Sequence, residues 1–320
     1  MLDLVTVCYE PELPMLGLQA RSLDRFLSPD LVGRIVVVDN TRRGLSSRQR
    51  RRLGHDYGGL RDRVQFRRPA ELVDPAVLDG LRTSGWRLQQ VLKLRAAAEL
   101  TGSLCIVLDA KNHLVHDVDL GFFRDDDGHD RTRAYDLHGH PHLPSFEQTL
   151  RYLGLDPAQH VGRFTPTVTP FPLRPDLVRA LLDDVAGRSE RGFEREFVDH
   201  RLTEFFLYSG WLLSTGRALE DVFAFGQPDS PTVWPGAADA AGVRRQIERS
   251  LAGSLPFFAV HRSALVRLDR AARAALCGFW AERGLYSSPA RARAGLRRMR
   301  VAAALAAVRG RWARRATSHR

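Results

Sequence analysis

Four apolar runs separated by stretches of helical period constrain what this chain can fold into more than any other feature. LVTVCY (4–9), RIVVVDN (34–40) and SLCIVLD (103–109) are continuously hydrophobic rather than alternating, and VQFRR (64–68) is a shorter strand candidate. Between them, Leu13, Leu16, Leu18, Leu23, Phe26 and Leu27 recur at roughly helical spacing, and GWRLQQVLKLRAAAEL (85–100) is a second helix pattern. A strand that is apolar on both sides must be covered on both sides, which is the condition of parallel strands between layers of helix. The expectation is an α/β fold with a mostly parallel central sheet flanked by helices. Ligands of such open sheets bind beyond the carboxyl ends of the strands. Two runs end there in a carboxylate, Asp39 (followed by Asn40) and Asp109. Aspartate is also an ordinary turn residue after a strand, so for Asp39 alone both readings stand.

Composition narrows the class. Hydrophobic residues make up 44% of 320, enough for a buried core and too many for a disordered chain. No stretch approaches the roughly 18 uninterrupted apolar residues of a membrane span, and the opening MLDLVTVCYE does not read as a secretory signal. Cys8, Cys105 and Cys277 are odd in number and scattered, as expected of core thiols in a reducing compartment such as the cytoplasm. The net charge of +11 is concentrated: residues 287–320 hold ten Arg and no Asp or Glu, leaving 38 basic against 37 acidic residues in 1–286. A body built to track phosphodiesters would carry its basicity across a face, so nucleic acid is not an expected partner. The chain divides into a domain over 1–286 and a basic tail over 287–320, amphipathic or disordered.

Beyond residue 120 the pattern loosens into an acidic loop, DDDGHD (125–130), and a His- and Pro-rich segment holding His138, His140 and His142. Alternate histidines can line one face of an extended segment and bind metal, but in a Pro-containing loop plain exposure is the commoner outcome. TPTVTPFPLRPDLVRALLDDV (165–185) reads as an extended segment feeding a helix after Pro175, FVDHRLTEFFLYSGWLLST (197–215) as one helix, and SLPFFAVHR (254–262) as a short strand ending in His261.

The basic residues carry the sharpest chemical signal. Of 48 Lys plus Arg, two are Lys: Lys93, on the 85–100 helix, and Lys111, two residues past Asp109. An ammonium and a guanidinium fork are not interchangeable at a tight site, so positions that keep Lys against this background stand out. A strand-end Asp, a distant His, one or two lysines and a helix-borne Glu would meet the needs of sugar transfer from a nucleotide diphosphate donor. The leaving diphosphate must be neutralised, and the acceptor hydroxyl needs a base.

The order of blocks GWRLQQVLKL, LDAKNHLV, TPTVTPFPL, LTEFFLYSGWL and FFAVHR resembles an uncharacterised bacterial family of proteins similar to GT-A glycosyltransferases, over about residues 4–265. The resemblance implies a GT-A-like, Rossmann-like fold with a donor site for a nucleotide diphosphate sugar and, as acceptor, a carbohydrate or lipid-linked molecule. It places Asp109 at the donor diphosphate and a divalent metal (Mn²⁺ or Mg²⁺), His261 as the distant ligand, and Glu204 as the acceptor-side carboxylate. Trp86, Gln89, Gln90 and Lys93 would approach the nucleotide or sugar, with Asp39 at the neighbouring strand end. One departure matters: the Asp-x-Asp metal motif of such enzymes would need a carboxylate where this chain has Lys111. Three readings follow. Asn112 or His113 completes a metal site, Lys111 itself partly replaces the metal's charge, or Asp109 is structural and the site is inactive.

In the tail, Leu296, Met299, Leu305, Val308 and Trp312 interleave with arginines, a pattern suited to an anionic membrane surface and equally to a solvated terminus. The cluster Arg42, Arg43, Arg48, Arg50, Arg51 and Arg52 would extend that surface or form a loop over the donor phosphates. The leading functional reading is a glycosyltransferase. The alternatives are a catalytically inactive GT-A-like binding protein at a membrane surface and, more weakly, an anionic-polymer binder acting through the tail.

Overall fold

The computed structural model describes residues 1–81 and 83–317, with side chains to residue 308. Its centre is a sheet whose strands β1 (Leu2–Cys8), β2 (Val32–Asp39), β3 (Val64–Arg67) and β4 (Cys105–Asp109) run parallel in the order β3-β2-β1-β4. A short antiparallel strand, Phe171–Leu173, adds to the outer edge of β4. Alternate side chains divide between two cores. Leu2, Leu4, Cys8, Ile35, Val37, Ile106 and Leu108 pack on one face, under helix α1 (Leu13–Phe26) and the helices Arg270–Glu282 and Pro289–Thr317. Val5, Val7, Val36, Val38, Cys105 and Val107 pack on the other, under the helices Gly85–Ala98, Pro175–Ala186, Gly192–Asp199 and Glu204–Ser214. Both faces are covered, which is why the strands are uninterrupted in hydrophobicity; each fully buried Leu or Phe contributes about 1.5–3 kcal/mol. The three cysteines are buried and unpaired.

Because the chain builds β2 and β3 on one side of β1 and then crosses to place β4 on the other, the connections diverge between β1 and β4. Divergence opens a crevice at the strands' carboxyl ends, where the register sets Val7 beside Asp109 and Cys8 beside Asp39. A second small sheet closes the crevice from the side. β5 (Asn112–Leu114) pairs antiparallel with Phe257–Val260, which pairs parallel with Thr232–Val233.

Two expectations are corrected. The segment 197–215 is two helices, Gly192–Asp199 and Glu204–Ser214. The chain turns at Arg201, whose φ of 53° lies in the left-handed region, and restarts with Thr203 at the N-cap position. Glu204 therefore opens a helix, where a carboxylate is favoured by the free N–H groups, and it is buried rather than on an exposed face. The tail forms the helix Pro289–Thr317, but its apolar stripe is not all free. Leu296 and Met299 are buried in the same core as α1, while Val301, Leu305 and Val308 are exposed. Trp312 lies outside the residues whose side chains are described. Among the described residues, no helix is long and apolar enough to cross a membrane.

Candidate active site

The crevice is a cleft of 640 Å³, within the several-hundred-Å³ range of small-molecule sites. Asp109, Lys93, Lys111, Glu204, Gln89, Gln90, Trp86 and His261 all line it. Asp109 ends β4, and the turn after it is held by a buried clasp. Asn112 Oδ1 accepts from the Asp109 amide at 2.8 Å and from Thr169 Oγ1 at 2.7 Å. From α1, Gln19 Nε2 donates to the carbonyls of Asp109 (2.8 Å) and Asn112 (3.0 Å), while its Oε1 accepts from Thr6 Oγ1 at 3.0 Å. Gln19 and Asn112 are fully buried, so the position of Asp109 is set by the core.

Both lysines meet that carboxylate. Lys93 Nζ lies 2.9 Å from Asp109 Oδ1 and 3.2 Å from Glu204 Oε1, and Lys111 Nζ pairs with Asp109 Oδ2. Burial opposes ionisation of Asp109, but the Lys111 and Lys93 charges outweigh it and hold the carboxyl far below its usual range. Lys93 is likewise buried, yet Asp109 and Glu204 keep it charged, raising its pKa. Burial raises Glu204, against the pull of Lys93. The Gly85–Ala98 helix, opened by a Ser84 cap accepting from the Arg87 amide at 3.2 Å, brings Trp86, Gln89, Gln90 and Lys93 to the cleft together. Gln90 Oε1 receives the Glu204 amide at 3.3 Å and Gln89 Nε2 donates to the Val7 carbonyl at 3.0 Å.

His261 arrives through the small sheet. Ala259 stands opposite Asn112, so the residues after Val260 run back toward Lys111 and Asp109. Its Nδ1 accepts from the Ser263 amide at 3.2 Å, and its ring lies 5.0 Å from that of Trp234. Burial and the nearby Lys111 charge both lower its pKa, leaving it a neutral imidazole.

Three expected ligands are spent elsewhere. Asn112 commits its amide oxygen to the clasp, and its Nδ2 donates to the Thr169 carbonyl at 3.2 Å. His113 Nε2 accepts from the Trp280 indole at 3.0 Å, so its proton sits on Nδ1, toward the Lys111 carbonyl at 3.2 Å; burial drops its pKa to about 4. Asp39 does not line the cleft. Its oxygens accept from Thr41 Oγ1 (2.6 Å) and the Leu45 amide (2.6 Å), with Arg68 NH1 at 3.1 Å. It braces the loop that carries Asn40 and Arg42, and those two line the cleft instead. Of the six-arginine cluster, Arg42 alone lines it, as does His142 of the three spaced histidines. The DDDGHD loop gathers Asp125, Asp127 and His129 within 4.8 Å of one another, away from the cleft and without a second feature pointing to an ion.

Sequence reasoning missed Glu12, Trp234 and Arg262, which also line the cleft. Burial, together with the Asp109 charge, pushes the Glu12 carboxyl up to about 8. Glu12 Oε2, Gln90 Nε2 and Thr203 Oγ1 are buried with no partner in the protein, and all three belong to residues of this wall. Buried polar atoms are nearly always paired, and these three are exceptions. Trp86 and Trp234 stand half exposed at its rim.

A family profile described as "Family of unknown function (DUF6492)" matches residues 6–235. The chain belongs to the DUF6492 family. No curated protein matches this DUF6492 chain in sequence. Among solved structures it is similar to the galactosyltransferase LgtC in complex with donor and acceptor sugar analogs: 14% identity, 89% of this chain, 96% of that chain, TM-score 0.54. An active-site mutant of LgtC (13% identity, 73% and 76% of the chains, TM-score 0.47) and the bifunctional glycosyltransferase WbbM (11%, 75% and 39%, 0.37) are more distant. The likeness to the LgtC complex establishes the fold: a GT-A-like arrangement, as the sequence blocks implied.

Proposed function

We propose that this DUF6492 protein is a glycosyltransferase that moves a sugar from a nucleotide diphosphate donor to a hydroxyl of a carbohydrate or lipid-linked acceptor. The observation that carries the reading is the meeting, in one cleft at the topological switch point, of the chain's two lysines with Asp109 and Glu204. Cations there oppose the charge that develops as the bond from the anomeric carbon to the diphosphate breaks. Glu204 is the base that takes the acceptor proton, its affinity for protons raised by burial toward the working range. Trp86 and Trp234 offer faces on which a base or a sugar ring can stack.

The test uses the full chain, because Leu296 and Met299 belong to the core. UDP-, GDP-, CMP- and dTDP-sugars are screened for hydrolysis or transfer, alongside calorimetric binding of the free nucleotides. One active donor, silenced in Asp109→Asn and Glu204→Gln, supports the reading. Binding without turnover in any combination moves the protein to the alternative, a GT-A-like binding protein, which the complete pairing of Asp109 by ammonium groups favours.

The exposed stripe Val301, Leu305 and Val308, on a segment with ten Arg and no acidic residue, supports peripheral contact with an anionic membrane from the cytoplasmic side. Co-sedimentation with phosphatidylglycerol vesicles that survives Leu305→Glu/Val308→Glu unchanged would sink that part.

A further inference from the structure

The donor set around Asp109 does not fit a divalent cation. Mg²⁺ and its relatives take about six oxygen-rich ligands in near-regular geometry. Here Asp109 Oδ1 faces Lys93 Nζ at 2.9 Å and Oδ2 accepts from Lys111 Nζ, so a cation on either oxygen would sit beside an ammonium that repels it. Asn112 Oδ1 already accepts two hydrogen bonds inside the core, and His113 Nε2 accepts the Trp280 indole. His261 Nδ1 accepts from the Ser263 amide at 3.2 Å, which leaves the proton of the neutral ring on Nε2.

Charge accounts for the substitution. In an Asp-x-Asp pair, two carboxylates and one divalent cation sum to zero. In this chain Asp109 and Lys111 sum to zero by themselves. Exchanging a carboxylate for an ammonium at position 111 adds two positive charges, the charge of one divalent cation. Lys suits this role better than Arg would. Of the 48 basic residues 46 are Arg, yet both positions bonded to Asp109 keep the compact ammonium, which has three donors to distribute. Lys93 has committed itself to Asp109 and Glu204 in the core. Lys111 bonds only Asp109 among the described residues and lines the cleft, as do Arg42 and Arg262.

We propose that Lys111 takes the place of the divalent cation, so that the cleft binds a nucleoside diphosphate through the Lys111 ammonium without metal, while Lys93 holds Asp109 and Glu204 in position. This rests on the donor reading above. In transfer, the acceptor oxygen forms its bond to the anomeric carbon and gives its proton to Glu204, while the electron pair of the breaking carbon–oxygen bond passes to the diphosphate oxygen beside Lys111.

The experiment is calorimetric titration of the full chain with UDP, GDP, CDP and dTDP, each in EDTA and in Mn²⁺. One nucleotide should bind with similar affinity in both. Lys111→Ala should weaken it about ten- to a hundredfold in both, the loss of a hydrogen bond from a charged donor. Lys111→Asp, which rebuilds the Asp-x-Asp pair, should lose binding in EDTA and regain it in Mn²⁺; that regain also shows that the variant is folded. Wild-type binding that needs Mn²⁺, or wild-type affinity of Lys111→Ala in EDTA, overturns the lysine proposal and leaves the donor reading standing. No binding of any nucleotide in either buffer overturns both.

Discussion

Asp39 and Asp109 look alike in sequence: each is the last residue of a buried parallel strand, and their strands both flank β1. Their surroundings separate them. Asp39 is satisfied mainly by local groups, the Thr41 hydroxyl and the Thr41 and Leu45 amides, with Arg68 as the charged partner. Burial opposes its ionisation, the hydrogen bonds and Arg68 outweigh it, and its pKa falls. Asp109 hands its local hydrogen-bonding to Asn112 and Gln19 and meets side chains from a distant helix and the following turn. A carboxylate closed off by its own loop holds structure together. One supported from behind and paired with lysines that line a cleft organises charge there.

The comparison can be broken in both directions. Asp109→Asn should produce the largest effect, a fall in turnover of about 10²–10³, the scale of removing one charge-organising group from a reaction centre. Asp39→Asn should instead cost about 1.5–3 kcal/mol of stability through its charged hydrogen bonds, read as the denaturant midpoint, with nucleotide affinity close to wild type. A collapse of affinity in Asp39→Asn at unchanged stability would erase the distinction. A pH slope at Glu12 gives a third test. Its carboxyl rises from 4.5 to about 8 on folding, so the folded state holds a proton that the unfolded chain releases. The Glu12 contribution to stability is then fullest below pH 4.5 and is lost as pH rises to about 8. Glu12→Gln should lack that slope, so that it stands alone in the difference between wild type and variant, from which His113, which titrates in the opposite sense, cancels. Equal slopes would place Glu12 outside the charged cluster.

Much of the scaffold was legible because its signals are local. Continuous apolar runs report strands covered on both faces, helical period reports Leu13–Phe26 and Gly85–Ala98, and the retention of Lys at 93 and 111 pointed to the cleft before any geometry. The misses share a cause. Glu12 follows Pro11 in an acidic stretch with no motif, and only the approach of α1 to the end of β4 gives it a charged neighbourhood. Asn112 and His113 have the chemistry of ligands, and the sequence cannot reveal that Thr169 and Trp280, far along the chain, already occupy them. The break before Glu204 had a signal in Thr203, an N-cap residue type, hidden by the longer apolar period around it.

The α/β class, the strand ends at which a ligand could sit and the exceptional status of two lysines can all be read from the chain alone, because hydrophobic period and residue choice are written position by position. Which aspartate lines the cleft, and which side chains its carboxylate meets, came from the packing of distant segments. Those properties depend on which distant groups fill each oxygen's remaining valence, and that is fixed when the layers pack.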